Sequence, residues 1–230
     1  MDSEELELWE AGDADEFAAS VAGDIGFIVD QALDARREAL VALPVEDYLL
    51  PAYQKLAEGK RDWRHVTFVP THDALVAVDD PASRVATLAR IFLPKGARVL
   101  PLSSENPDYH LAGTAADARL QDLGWPLDLV VLSMDLGGGV AGLVDGPDLE
   151  QALTDDTVRA LGLMSDDGDE VVSISKTTIV KSRTLMFALD SEMHREALES
   201  GAEKGAGAET IVGKILADVT VPVDVHMHDH

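Results

Sequence analysis

The segment LDLVVLSM, residues 127–134, decides the fold class of this 230-residue chain. It is apolar almost throughout, as expected of a central strand in a parallel sheet whose two faces are both covered. It runs directly into DLGGGVAGLVDG, residues 135–146, in which three consecutive glycines precede small residues. A strand followed by a glycine turn is a frequent phosphate-binding arrangement in α/β proteins. The segment therefore predicts an α/β fold with a ligand loop after this strand.

The flanking segments alternate between helix and strand patterns. Apolar residues recur at three- and four-residue steps from Asp13 to Arg37, which predicts an amphipathic helix. Further helices are predicted within residues 44–60, 83–92, 112–124, 146–153, 155–164, 192–201 and 210–219, with Ser83 and Ser191 as N-terminal caps. Strands are predicted at residues 39–43, 65–70, 97–102, 184–189 and 221–227, and residues 171–180 are predicted to be extended. This alternation predicts a mostly parallel sheet between two helical layers.

The composition restricts the classes of function. Acidic residues number 43 against 18 basic ones, a formal net charge of -25, so we expect neither nucleic acid nor a membrane as a partner. One interpretation is that the negative charge keeps the protein soluble, for example in a salty habitat. The other is that any phosphate-binding pocket must be a local cluster of basic residues within an acidic surface. The chain has no cysteine, which excludes disulfides and thiol nucleophiles. Without a signal-peptide pattern or an apolar run of ~20 residues, we expect a cytoplasmic protein.

Several framework segments follow one another in a familiar order. They are ALVALP, DWRHVTFVPTHD, DDPAS, FLPKGARVLPL, PLDLVVLSM and SRTLMFAL. Over nearly the whole chain their order and spacing resemble the 6-phosphogluconolactonase family, relatives of glucosamine-6-phosphate isomerase. The resemblance implies a modified Rossmann-like three-layer sandwich, a single domain over residues 1–230 with a small lobe at 147–185. It also implies hydrolysis of 6-phosphogluconolactone in the pentose phosphate pathway, without a cofactor.

The glycine loop departs from the signature of that family. Residues 133–146 align without a gap with G-M-G-x-D-G-H-T-A-S-x-F-P-G. Gly139 stands where the family has a histidine that is thought to activate water or transfer a proton, and glycine has no group for this role. Asp135 replaces a glycine and Gly137 replaces the aspartate, whereas Gly138 matches. The three glycines therefore indicate a catalytic loop without its catalytic groups.

The phosphate-binding positions are substituted as well. The family has a glycine pair, then Ser or Lys, Thr and Pro after the first strand, and this chain has Val45–Leu49 there. Glu46 and Asp47 in that turn would repel a phosphate. His194 corresponds to a lysine of a later turn, and Val171 to an arginine. Losing a general acid or base alone typically costs ~10²–10⁴-fold in rate, so we expect family activity to be weak or absent.

The side chains that remain around the predicted cleft suit other chemistry. The candidate catalytic residues are His72, Asp73 and Asp135, and the predicted cleft residues are Asp47, Ser83, Arg84, Gly137, Gly138, Gly139 and His194. Histidines among carboxylates suit acid–base catalysis or a hard metal, and solvated side chains in an inactive cleft are the alternative. Three functions remain open at this point: an enzyme that acts on a different sugar or lactone, a non-catalytic partner of another protein, or a lactonase whose catalytic residues lie elsewhere in the cleft.

The C-terminal sequence VHMHDH contains three alternating histidines. His226, His228 and His230 would lie on one side of an extended segment, where zinc or nickel could bind. The alternative is a frayed terminus with incidental histidines. We expect no metal site there.

Overall fold

The computed structural model describes residues 6–103 and 106–229. Its strands are β1 (Leu6–Glu10), β2 (Ala39–Leu43), β3 (Val66–Pro70), β4 (His72–Ala74), β5 (Arg98–Val99), β6 (Leu129–Leu132), β7 (Ala160–Met164), β8 (Glu170–Ile174), β9 (Leu185–Leu189) and β10 (Val223–Met227). A parallel seven-stranded sheet has the order β1-β10-β9-β6-β2-β3-β5. The segment around residues 127–134 thus supplies β6 at the centre of the sheet, and the predicted α/β fold is confirmed.

Helices cover both faces of this sheet. They are α1 (Ala14–Arg36), α2 (Leu50–Glu58), α3 (Arg84–Phe92), α4 (Tyr109–Gln121), α5 (Leu149–Thr154), α6 (Lys176–Val180), α7 (Glu192–Lys204) and α8 (Ile211–Leu216). Successive side chains of β6 point to opposite faces, so Leu129 and Val131 pack with α1 and α2, whereas Val130 and Leu132 pack with α4 and α8. The result is the predicted sandwich of helices, sheet and helices.

Asp128, immediately before β6, fixes the position of the central strand. Its buried carboxylate accepts a hydrogen bond from the Leu40 backbone N–H over 2.9 Å. It also forms ion pairs with Arg36 and, over 3.4 Å, with Arg183. These contacts tie the start of β6 to β2 and to the end of α1, so they stabilise the register at the amino edge of the sheet.

The helix predicted at residues 155–164 is wrong, because the second half of that segment is strand β7. It pairs with β8, which pairs with β4, in an antiparallel three-stranded sheet. Helix α4 packs closely on β7 through Gly113 and Gly162. A Cβ atom at Gly162 would overlap the Tyr109 carbonyl oxygen, so the two backbones meet where no side chain fits. Strand pairing and this close packing outweigh the local helical pattern.

Residues 171–180 are extended only in their first half. The chain leaves β8 at Ile174, and Ser175 then caps α6 by accepting a hydrogen bond from the Thr178 backbone N–H. This cap begins a helix in a segment whose β-branched residues favour a strand. Strands β1 and β4 were not predicted, because β1 exposes most of its side chains and β4 has only three residues.

The predicted small lobe spans α5, β7, β8 and α6, and its two strands pair with β4 from outside the segment. The organisation into one domain with a small lobe stays a prediction. Within the described parts of the chain, every helix is too short or too polar to cross a lipid bilayer.

Candidate active-site cleft

A cleft of about 430 Å³ opens at the carboxyl ends of β2, β6 and β9. Its lining comes from the turn after β2, from β4, from the glycine loop after β6 and from the start of α7. The lining residues are Glu46, Tyr48, His72, Ser133, Met134, Asp135, Leu136, Gly139, Val140, Ala141, Gly142, Val144, Asp190 and His194. Open α/β sheets bind ligands at the carboxyl edge of their strands. A second groove, of about 320 Å³, lies at the amino ends of β2, β3 and β5, so the cleft is the better candidate for the site.

The glycine loop is closed by Asp135. Its carboxylate accepts a hydrogen bond from the Gly139 backbone N–H over 2.8 Å, and the backbones of the same two residues are joined over 3.0 Å. A Cβ atom at position 139 would overlap the Asp135 carboxylate and lie 2.9 Å from the Leu143 carbonyl oxygen. Asp135 and a side chain at position 139 therefore exclude each other in this loop conformation.

Glu46 is the carboxylate that enters the cleft from the end of β2. The Ser133 hydroxyl donates a hydrogen bond to it over 3.3 Å. Burial raises the pKa of the Glu46 carboxyl, the Arg84 guanidinium opposes that increase, and the charges of Asp190 and Asp47 add to it. The cleft thus contains a half-buried carboxyl group that takes up a proton more readily than a solvated one.

His194 and Asp190 form a pair at the start of α7. The Nδ1 atom of His194 lies 2.8 Å from the Asp190 carboxylate and 2.8 Å from the Ser191 hydroxyl. Ser191 also caps the helix as predicted, accepting from the His194 backbone N–H over 3.4 Å. The described residues provide no partner for the other ring nitrogen, Nε2. The orientation of the imidazole ring is therefore set by the contacts of Nδ1, and Nε2 is left for a ligand.

His72 lies in the cleft as predicted, but its surroundings keep it uncharged. Burial and the neighbouring Arg84 guanidinium lower the pKa of His72 to about 3. Its Nδ1 atom lies 3.3 Å from the Thr71 hydroxyl. A neutral imidazole at ordinary pH cannot donate a proton as an imidazolium does, so His72 is poorly suited to general acid catalysis near neutrality.

Asp73 and Ser83 hold the N-terminus of α3. The Asp73 carboxylate accepts hydrogen bonds from the backbone N–H groups of Arg84 over 2.8 Å and Val85 over 3.2 Å. Ser83 accepts one from Ala86, as its predicted capping role requires. Both side chains are buried and neither lines the cleft, so they act on the site by positioning Arg84. The proposed catalytic role of Asp73 is not supported by this geometry.

The alignment with known families agrees with this architecture. A family model described as glucosamine-6-phosphate isomerases/6-phosphogluconolactonase matches residues 12–217. The chain belongs to this family. It is 25% identical over 215 residues to a 6-phosphogluconolactonase of Rhizobium meliloti, covering 91% of this chain and 93% of that protein. A 6-phosphogluconolactonase of Pseudomonas putida is 31% identical over 152 residues, covering 64% of this chain and 62% of that protein.

Solved structures of the family have the same fold. A 6-phosphogluconolactonase from Shewanella baltica superposes with a TM-score of 0.88 at 22% identity, covering 97% of each chain. A 6-phosphogluconolactonase from Trypanosoma brucei has a TM-score of 0.78 at 16% identity, covering 96% of this chain and 95% of that one. A monomeric glucosamine-6-phosphate deaminase has a TM-score of 0.79 at 14% identity, covering 96% and 97%.

The structure separates the predicted cleft residues of this family member into two groups. Asp135, Gly139 and His194 line the cleft with His72. Gly137 and Gly138 lie in the loop without lining it, and Asp47 is exposed at the start of the short helical turn after β2. Arg84 lies beside the lining, close enough for its charge to act on Glu46 and His72.

Two polar cleft residues, Ser133 and Asp190, were not predicted as part of the site, and Glu46 was predicted only as a residue of the substituted phosphate-binding turn. Ser133 and Asp190 follow directly after β6 and β9, and Glu46 lies in the turn after β2. The rule that ligands bind beyond the carboxyl ends of parallel strands identifies all three positions once the strands are assigned. Asp190 also stands four residues before His194, a spacing that brings the two side chains together at a helix start.

The C-terminal histidines belong to the sheet. His226 is buried on β10, with Nε2 2.9 Å from Asp24 and Nδ1 3.0 Å from the Ser20 hydroxyl. The His228 ring lies 6.3 Å from that of Phe17, and its backbone N–H donates to Leu189. The frayed terminus considered for this segment is therefore wrong up to His228, because β10 is an internal strand. Across residues 6–103 and 106–229, no group of three or more metal-ligating side chains is arranged around an ion site, and His230 lies outside these ranges.

Proposed function

We propose that this protein hydrolyses 6-phosphogluconolactone weakly or not at all, and that its cleft accepts a sugar or lactone without a phosphate group. The observation that carries the proposal is the position of the Glu46 carboxylate. It lies half-buried in the cleft, in the turn that the sequence aligns with the phosphate-binding turn of the family.

A phosphate in this cleft would meet several negative charges. Asp190 lies close enough to influence Glu46, and Asp135 lines the same cleft. Like charges about 4 Å apart repel by about 4 kcal/mol near a protein surface, and a phosphate carries nearly two charges. Arg84 offsets part of this repulsion. An uncharged sugar or lactone avoids it and still finds hydrogen-bonding groups.

The glycine loop supports the same proposal. Gly139 aligns with the family histidine and brings no titratable group to the cleft. The space that such a side chain would enter is taken by the Asp135 carboxylate. The loss of the general acid–base group and the repulsion of phosphate act on the same substrate, so their effects combine.

A coupled assay of 6-phosphogluconolactone opening, corrected for spontaneous hydrolysis, tests the proposal. We expect a rate at least ~10²-fold below that of a family member that retains the signature histidine, measured in parallel. Turnover comparable to that relative would contradict the proposal. A thermal-shift series with phosphorylated and unphosphorylated sugars and lactones tests ligand class, since a ligand that binds the folded state raises Tm.

A second candidate function is non-catalytic binding of another protein. Two large apolar side chains near the cleft favour it: Leu136 lines the cleft and Met193 precedes His194, and each is 61% exposed. A partner that covers them would gain apolar burial. A partner purified with the wild-type chain and absent with a Leu136→Ser, Met193→Ser variant would support this function, and unchanged recovery would oppose it.

A further inference from the structure

We propose that Glu46 and His194 form an acid–base pair that opens the ring of unphosphorylated lactones, with Arg84 stabilising the negative charge that develops on the carbonyl oxygen. The inference rests on the proposed function, because it requires a substrate without a phosphate group. It assigns catalysis to residues outside the glycine loop, in which the family signature lies.

Glu46 has the features of a general base for water. It reaches the cleft from the turn after β2, and the Ser133 hydroxyl donates a hydrogen bond to one of its carboxylate oxygens. That hydrogen bond leaves the second oxygen for a water molecule. Burial makes the carboxylate more basic than one in solvent, which improves proton transfer from water near neutral pH.

His194 has the features of a general acid. Asp190 and Ser191 both contact Nδ1, each over 2.8 Å, and so set the ring in one orientation. Because Nδ1 is occupied, Nε2 is the ring nitrogen that faces a ligand, and the imidazolium form would present its second proton there. The His194 side chain is only 14% exposed at the edge of the cleft.

Arg84 provides an unused donor beside the pair. Its Nε atom is buried and has no hydrogen-bond partner in the described residues. Its charge acts on both Glu46 and His72, which places the guanidinium next to the cleft. The positive charge of this guanidinium would stabilise an oxyanion that develops in the cleft beside it.

The size and lining of the cleft suit an uncharged ring. The volume of about 430 Å³ lies in the range of small-molecule sites. Met134, Leu136 and Val140 provide apolar surface for the face of a ring. The carboxylates that line the cleft would repel an anionic ligand, so the proposed substrates are neutral lactones.

The reaction balances with water as the only co-reactant. Glu46 takes a proton from water as the oxygen of that water forms a bond to the carbonyl carbon. The tetrahedral intermediate then breaks its bond to the ring oxygen, which receives the Nε2 proton of His194. A hydroxy acid is released, and solvent returns the proton from Glu46 to His194.

The experiment measures opening of D-glucono-1,5-lactone and of a neutral γ-lactone by the full chain, corrected for spontaneous hydrolysis. We expect acceleration by the wild-type protein and a ~10²–10⁴-fold loss of kcat in Glu46→Gln and in His194→Gln. Asp190→Asn should lower kcat with little change in KM, because it acts on His194 rather than on the substrate. Glu58→Gln and His65→Gln replace the same residue types on the surface and should retain the wild-type rate.

The pH profile separates catalysis from structural effects. Glu46 faces Arg84 from α3, Asp190 from the end of β9, and Asp47 and Tyr48 of its own turn. We expect the wild-type rate to fall at low pH with a midpoint above 4.5, and this fall to be absent from the residual activity of Glu46→Gln. Each variant is compared by circular dichroism and Tm to establish that it is folded.

No acceleration of either neutral lactone by the wild-type protein would overturn the inference. So would folded Glu46→Gln and His194→Gln variants with wild-type rates. Both results leave the proposed function intact, because that proposal is judged on the phosphorylated lactone and on ligand-induced shifts in Tm. Conversely, efficient hydrolysis of the phosphorylated lactone would contradict the proposed function whatever the variants do.

Discussion

The Asp135 carboxylate accepts a hydrogen bond from the Gly139 backbone N–H over 2.8 Å, in the space that a side chain at position 139 would need. The two positions are therefore coupled. The family signature that the sequence resembles has glycine at position 135 and histidine at position 139. This chain instead has a side chain at position 135 and none at position 139. In this chain the Asp135 carboxylate helps to hold the loop closed through its hydrogen bond to Gly139.

This coupling predicts the outcome of restoring the histidine. Gly139→His alone should destabilise the protein by about 1–3 kcal/mol, because the new Cβ overlaps Asp135 and approaches Leu143. Asp135→Gly combined with Gly139→His should recover part of that loss. Denaturant unfolding measures both values. Gly207→His, at a glycine with open space around its Cβ direction, is the control and should change stability by less than about 0.5 kcal/mol. Additive effects of the two substitutions would contradict the coupling.

The contact between α4 and β7 depends on the absence of a side chain at Gly162. Gly162→Ala should lower the free energy of unfolding by about 1–3 kcal/mol or more, because the added methyl group overlaps the Tyr109 carbonyl oxygen. Gly23→Ala, at an open position within α1, should be neutral or stabilising by up to about 1 kcal/mol. Urea denaturation of both variants checks the prediction, and equal stabilities would show that the two elements can separate at little cost.

Asp128 stabilises the start of the central strand through two arginines and a backbone N–H. Asp128→Ala should destabilise the protein by about 2–3 kcal/mol. This loss is smaller than the ~3–5 kcal/mol typical of a broken buried ion pair, because Arg36 is 36% exposed and Arg183 43% exposed. Asp122→Ala removes an exposed carboxylate and should have little effect. The comparison is made by thermal and denaturant unfolding, and an equal effect of the two substitutions would argue against the role of Asp128.

The lowered pKa of His72 should make the stability of the protein depend on pH. Burial lowers the pKa of His72 to about 3 from an unfolded-state value of 6.5. Between these values the unfolded chain binds more protons than the folded one, so the contribution of this group to stability falls as the pH falls. Its contribution is complete above pH 6.5 and is progressively lost towards pH 3. The difference in unfolding free energy between wild type and His72→Gln should therefore shrink on acidification, and a constant difference would indicate that His72 titrates normally.

The sequence determines the elements whose pattern is local. The apolar run at residues 127–134 became the central strand, and Ser83 and Ser191 cap α3 and α7 as predicted. The parallel order followed from the alternation of strands and helices. A cap or an amphipathic face is encoded within a few residues, and its interactions form wherever that segment lies in the fold.

Only the tertiary structure decided the features that depend on distant residues. β7 is a strand because β8 pairs with it and α4 packs on it at a glycine, although its own pattern favours a helix. Asp73 supports a helix rather than a ligand because the N-terminus of α3 lies against it. Glu46, Ser133, Asp190 and His194 meet because parallel strands end at a common edge. Separations of 87 residues, as between Glu46 and Ser133, leave no local pattern, so the composition of the cleft emerges only when the sheet is assembled.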